Sequence, residues 1–296
     1  MQAVLQFPDL DPEIFAISVL GLEFALRWYA LAYIAGIVIG WRLVVMLVNH
    51  AKLWPENRAP MTAAQVEQLL TWIILGVILG GRLGFVIFYK PGYYLSHPWE
   101  IPMLWHGGMA FHGGLLGVML ALIMFTRKHD IPLLSASDAL AIAAPQGLLF
   151  GRLANFINAE LWGRPSDVPW AMVFPGDLAQ FCPGWDQVPC ARHPSQLYEA
   201  TLEGLVLGAV ILWLVLRRDA LKRPGFIAGV FFLGYGIGRI FVEFFRQADF
   251  QFVSPDNPMG YAVHWQGAGL TQGQLLSIPL IVLGLAFIAT ARFRRT

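Results

Sequence analysis

The sequence predicts an all-α polytopic membrane protein of seven transmembrane helices, its N-terminus outside, its C-terminus cytoplasmic, with a small external cap. Three observations predict it. Of 296 residues, 57% are hydrophobic and 13% charged, with a mean hydropathy of +0.58. A soluble core of this size does not need so much apolar surface, so the bilayer is the expected solvent. Apolar runs close to the ~20 residues that cross a bilayer recur along the chain. The basic residues between those runs fall unequally on alternate gaps, as they do when one side is cytoplasmic.

Taken in order, the expected spans are 18–48, 66–89, 109–126, 136–156, 196–216, 225–245 and 272–291. The first is too long for a helix standing upright in the bilayer and is read as tilted or partly interfacial. The fourth is interrupted by Pro145 and Gly147. Small residues four apart, Gly76/Gly80, Gly113/Gly117 and Gly204/Gly208, suit close helix packing. The gaps after spans one, three and five, with the tail, hold Lys52, Arg58, Arg127, Lys128, Arg217, Arg218, Lys222, Arg223, Arg292, Arg294 and Arg295. The opposite gaps hold Lys90, Arg164, Arg192 and Arg246. Eleven against four orients the chain. The long loops 157–195 and 246–271 then lie outside as the cap of one transmembrane domain spanning 1–296.

Composition also excludes several classes. A net charge of +1 gives no case for nucleic-acid binding. Two cysteines cannot build a disulfide scaffold or an iron–sulfur cluster. Residues 1–16 carry Asp9, Asp11 and Glu13 but no Lys or Arg, the wrong charge for a cleavable signal peptide. There is no His-Glu-x-x-His pair, no Gly-x-Ser-x-Gly elbow and no Walker loop. Cys182 and Cys190 share an external loop with Pro183, Gly184 and Pro189 between them. A disulfide is the expected state there, with two free thiols as the alternative.

Five basic residues remain inside the spans. Arg42 lies toward the cytoplasm, where snorkelling explains it. Arg27, Arg82, Arg152 and Arg239 come from four helices and fall in the outer leaflet, where an intramembrane arginine needs a polar cavity or a partner. Three of these follow a glycine: Gly81-Arg82, Gly151-Arg152 and Gly238-Arg239. A planar guanidinium can grip phosphate with two parallel charge-assisted bonds, which makes an anionic headgroup the expected ligand. Structural Arg–Glu pairing is the alternative, evenly matched for Arg82. Glu243 follows Arg239 by four residues and precedes Arg246 by three, so it organises the arginines on one helical face. His112 opens span three between paired glycines and could take a proton from a nucleophile or serve only as a hydrogen-bonding group. His193 opens span five, where with Ser195 it could cap the helix. Tyr29, below the belt aromatic Trp28, needs a polar partner such as a headgroup.

These residues fall in segments that resemble one family. The segment Gly151-Arg152-Leu153-Ala154-Asn155-Phe156-Ile157-Asn158-Ala159-Glu160-Leu161-Trp162-Gly163 is long and specific. With Gly107-Gly108-Met109-Ala110-Phe111-His112-Gly113-Gly114, residues 192–199 and Gly234-Tyr235-Gly236-Ile237-Gly238-Arg239, it resembles the bacterial prolipoprotein diacylglyceryl transferases over essentially the whole chain. Ala154 stands where the motif usually has glycine, and His106 where relatives often have an acidic residue. The resemblance implies transfer of a diacylglyceryl group from phosphatidylglycerol to the lipobox cysteine in the signal peptide of a preprolipoprotein. A thioether forms and glycerol phosphate leaves, without metal or cofactor, in the bacterial cytoplasmic (inner) membrane toward its outer leaflet. It implies that Arg152 and Arg239 bind the lipid phosphate and that His112 is the base. Tyr29, Asn155, Glu160, Gly163 and Glu243 are further marked positions, and Arg82, Asn158 and Tyr235 complete the expected substrate-binding set. A small-anion transporter and an anionic-lipid-binding protein remain the other classes.

Overall fold

The computed structural model describes residues 5–19, 22–182, 185, 188–254, 256–265 and 268–291. Positions 20 and 21 of the first expected span, Pro183 and Gly184 of the cysteine loop, and the tail arginines Arg292, Arg294 and Arg295 lie outside the described residues. Seven helices are long and apolar enough to cross a membrane: α1 (Trp28–Val48), α2 (Ala63–Phe88), α3 (Phe111–Lys128), α4 (Leu133–Ile157), α5 (Ser195–Arg217), α6 (Phe226–Glu243) and α7 (Gln272–Ala291). Their bounds lie within a few residues of the expected spans, with one exception.

The exception is the start of span one. Glu13–Val19 (β2) and Leu22–Arg27 (β3) form an antiparallel hairpin, so only residues from Trp28 onward are helical. Residues 18–26 are apolar at nearly every position, with Glu23 the one charge, so no period there separates strand from helix and the sequence reads as one long span. The hairpin also removes Arg27 from the arginine group. Its backbone is extended, and its guanidinium meets Glu13 across the hairpin at 2.8 Å, both side chains exposed. Outside the bundle, Leu5–Gln6 (β1) pairs in parallel with Met172–Val173 (β4), and Val263–Trp265 (β5) pairs with Ala268–Leu270 (β6).

Consecutive helices alternate in direction, so the bundle has two ends. At the end where α1 finishes and α2 begins, loops and helices share one apolar core containing Leu47, Trp54, Phe125, Ile142, Ile211, Leu221 and Ile227. The Trp54 indole donates to Leu47 O at 2.9 Å. Asp138 of α4, fully buried, accepts from Gly225 N at 2.7 Å and Ala228 N at 2.8 Å, capping α6 from a neighbouring helix. α2 begins with a Thr62/Gln65 capping box. This is the basic end, where most of the loop lysines and arginines lie.

Glycine spacing sets the helix contacts, as expected. α2 and α3 touch backbone to backbone: a Cβ added to Gly84 would stand 2.8 Å from Gly113 Cα, and one on Gly80 2.9 Å from Gly117 Cα. α1 and α4 run antiparallel with Gly36 against Gly147 and Gly40 against Ala143. Gly204 of α5 meets Leu149 of α4. α4 thereby packs against α1, α3, α5 and α6 and carries Arg152 toward the opposite, polar end.

Candidate active site

At the polar end, the last turns of α4 and α6 and the first turn of α5 converge. Glu199 of α5 is their centre and is 1% exposed. Arg152 Nε lies 2.8 Å from Glu199 Oε2, Arg239 Nη1 is bonded to Glu199 Oε1, and Arg246 Nη1 is 3.3 Å from the same oxygen. Glu243, a helical turn after Arg239, takes Arg239 Nη2 at 2.6 Å and the Thr271 hydroxyl at 2.7 Å. Glu243 thus braces Arg239, while Arg246, expected on the same face, goes to Glu199 instead. Burial and the neighbouring Arg239 lower the pKa of Arg246. Each of the three guanidinium groups keeps N–H edges beyond those bonds while its side chain stays 13–17% exposed. Cations fixed from behind by buried carboxylates, with donors left over in front, make an anion site that needs little reorganisation on binding.

The α5 segment Ala200–Val206 is a π-helix that follows Glu199 directly. Such widened turns occur at functional sites, and this one directs Glu199 and the equally buried Glu203 inward. Glu203 has no hydrogen-bond partner among the described residues. Tyr235 stands one turn before Arg239 on α6, stacked on Phe231.

The 155–164 turn extends the site. Asn155 donates to Glu160 Oε1 at 2.7 Å and receives Arg152 Nη1 at 3.4 Å, linking the carboxylate to the arginine. The side-chain oxygen of Asn158 is buried without a partner among the described residues. Ala159 (φ 52°) and Leu161 (φ 56°) sit in the left-handed region, a strained shape held by outside bonds. Gln196 donates to Glu160 O at 2.6 Å and Ser195 Oγ to Leu161 O at 3.1 Å. Ser195 therefore fastens this turn, and no side chain caps α5. Gly163 lies where three segments meet: its N–H donates to His193 O at 2.8 Å, and an added Cβ would stand 2.7 Å from His193 Cβ. Gly163 is a junction that only a residue without a side chain fills.

His193 donates or accepts through Nδ1 to Tyr198 Oη at 3.0 Å, and burial lowers its pKa below the ordinary histidine value. It packs against Phe245, and the cap expected of it with Ser195 is not formed. Arg192 is buried, its pKa lowered by burial to about 10, so it remains charged at neutral pH. It donates to Ala179 O (2.6 Å), Phe181 O (2.8 Å), Gly163 O (3.2 Å) and Gln247 Oε1 (3.2 Å), and stacks on Trp162 at 3.9 Å. Cys182 and Cys190 are joined by a disulfide, their Cα atoms 6.5 Å apart.

The remaining expected residues lie elsewhere. Arg82 turns away from an anion-binding role: its donors meet Glu100 O (2.8 Å), Ile101 O (2.7 Å), Met103 O (3.1 Å), Gly107 O and Gly108 O (3.3 Å). It fixes the loop that leads into α3. His112 stands exposed on the first turn of α3, at the same end of the bundle as the arginines, with no hydrogen bond among the described residues. Tyr29 is 3.2 Å from Tyr33, hydroxyl to hydroxyl. The α1–α4 register, carried two turns beyond Gly36/Gly147, places both tyrosines alongside the stretch holding Arg152 and Asn155.

Fold and site together define a polytopic membrane protein with three arginines gathered on a buried glutamate at one end of its helix bundle. The family described as Prolipoprotein diacylglyceryl transferase matches residues 15–290. The chain is 66% identical over 292 residues to a protein of Ruegeria pomeroyi named phosphatidylglycerol–prolipoprotein diacylglyceryl transferase, covering 99% of both. Proteins of the same name from Roseobacter denitrificans and Cereibacter sphaeroides are 62% and 58% identical, over 99% and 97% of this chain and 99% and 98% of theirs. The chain belongs to the prolipoprotein diacylglyceryl transferase family. It is a membrane transferase of lipoprotein biosynthesis, which removes the transporter and the simple lipid-binding protein as readings.

Proposed function

We propose that the enzyme transfers the diacylglyceryl group of phosphatidylglycerol to the lipobox cysteine of a preprolipoprotein at the outer face of a bacterial cytoplasmic membrane. The relatives' names supply the lipid and the acceptor protein. The observation that carries the chemistry is the convergence of Arg152, Arg239 and Arg246 on Glu199. The acceptor sulfur bonds to the glyceryl carbon as that carbon's bond to the phosphate oxygen breaks. The thiol proton departs, and the phosphodiester monoanion becomes a phosphomonoester dianion. Charge therefore grows on an oxygen beside the arginines, where fixed guanidinium donors stabilise the transition state more than the ground state.

In this reading, Asn155 and Glu160 hold Arg152 in register, and Tyr29 with Tyr33 lines the α1 side. Asn158 and Tyr235 line the headgroup site, Glu243 braces Arg239, and Arg82 positions the loop before His112. His112 takes the thiol proton. The polar end faces outside, the orientation that the eleven-to-four charge asymmetry supports, and the 157–195 and 246–271 loops cap it.

The test is incubation of the purified protein with phosphatidylglycerol and a lipobox peptide. Mass spectrometry is expected to find the diacylglyceryl increment on the cysteine; an unmodified peptide overturns the reading. In the same assay His112→Gln is expected to recover as pH rises toward the free thiol's ordinary pKa of ~8.5, where thiolate forms unaided. A defect independent of pH makes His112 a positioning residue.

A further inference from the structure

The 159–162 turn has a second face. Residues 159–162 form one wall of a cleft of about 540 Å³, and residues 175–179 form the other. That volume lies within the ~300–1,000 Å³ range of ligand-binding clefts. We propose that this cleft is the acceptor-polypeptide subsite, taking the few residues of extended chain that follow the modified cysteine. The inference rests on the transfer reading above and extends it to the facing wall of residues 175–179, which that reading does not use.

Three observations support it. First, the cleft is continuous with the anion site: Glu160 lines it and is bonded through Asn155 to Arg152. A chain whose cysteine sulfur reaches the glyceryl carbon beside the phosphate at Arg152 has this cleft next to it, across Glu160. Second, the walls are built to stay apart and in place. Arg192 binds Gly163 O just beyond one wall and Ala179 O in the other, its guanidinium lying over Trp162. Gln180 bonds Phe174 O and the Cys190 backbone, and the Cys182–Cys190 disulfide closes the loop behind. Third, the lining has a sign and a texture. Glu160 and Asp177 are exposed carboxylates, while Leu161 and Leu178 are 43% and 68% exposed. A phosphate or a lipid headgroup would be repelled there. A polypeptide supplies amide N–H groups, small apolar side chains and cations to match.

The charge makes the proposal specific. Peptides sharing one lipobox and differing only after the cysteine, with lysines or aspartates in the next positions, are compared in neutral detergent with phosphatidylglycerol as donor. The lysine series is expected to show a KM about fivefold lower, with kcat unchanged, the scale of an exposed charge pair of ~1 kcal/mol. Asp177→Lys is expected to reverse that order. Leu178→Trp, which fills the cleft, is expected to raise KM for both series while sparing a peptide that ends at the cysteine amide. Equal KM values for lysine and aspartate peptides in both wild type and Asp177→Lys overturn the subsite. If no peptide acquires the diacylglyceryl group, the transfer reading falls, and the subsite with it. If the peptide ending at the cysteine is modified while the longer peptides show no charge dependence, only the subsite falls.

Discussion

Asp138 and Glu199 are both carboxylates buried in the helix bundle, one near each end, and they are satisfied by opposite means. Asp138 accepts from two backbone N–H groups at the start of α6. Those donors are fixed by the helix, the carboxylate saturates them, and nothing is left for a ligand. Glu199 is paired instead with three arginine side chains, by hydrogen bonds at Oε1 and by charge alone at Oε2. Each guanidinium has more donors than one shared carboxylate can take, so the surplus faces outward. The same residue class therefore locks one end of the protein and arms the other. A buried acid marks function here only when its partners carry donors to spare.

Three experiments test that contrast, beginning with the largest effect. Arg152→Lys and Arg239→Lys keep the charge on Glu199 compensated but remove the planar fork. Turnover is expected to fall by roughly 100-fold or more, on the order of 3 kcal/mol of transition-state stabilisation, with the folded protein retained in the membrane. Near wild-type turnover in either variant would reduce that arginine to a counter-ion, like the backbone around Asp138.

Asp138→Ala comes next. Removing the cap leaves two buried N–H groups without acceptors and is expected to lower stability by about 1–3 kcal/mol, read as thermal unfolding in detergent. Turnover per folded molecule should be unchanged. A variant of normal stability that loses activity would join the basic end to the chemistry and dissolve the comparison. The smallest effect is on a labelling pattern alone. Cysteines introduced at Ser254 and at Asp219 should leave transfer intact, with only the first reacting with an impermeant reagent from outside. The reverse pattern would turn the arginine site toward the cytoplasm.

Much of this contrast was legible in the sequence, and its gaps share a cause. Hydropathy located the helices to within a few residues, and the glycine-preceded arginines Arg152 and Arg239 stood out because charge inside an apolar run is costly. The same argument applies to acids. Glu199, Glu203 and Asp138 sit in apolar runs as plainly as the arginines do, and several intramembrane cations require counter-charges. Arg246 follows the helix end and reads as a loop residue, yet it reaches back to Glu199. What composition cannot express is the destination of a donor. Arg82 and Arg152 share the same Gly-Arg-Leu setting, but one binds backbone carbonyls and the other a carboxylate. Only the folded path of residues 100–108 makes that difference. The hairpin before α1 was hidden because residues 18–26 are apolar at nearly every position, so the alternation that identifies a strand is missing.

The contact between α2 and α3 bears on how this chain tolerates inheritance. Gly76, Gly80, Gly84, Gly113 and Gly117 bring two backbones together over several turns, and a methyl group on any of them has nowhere to go. A lineage can exchange most lipid-facing leucines for other apolar residues at little cost, yet it cannot drift at these positions without parting the helices. Invariance there would record a steric limit and no chemistry at all. A survey of variants that ranked positions only by intolerance would place these glycines beside Arg152 and Arg239. Only an assay that separates amount of protein from rate per molecule would tell the two kinds of constraint apart.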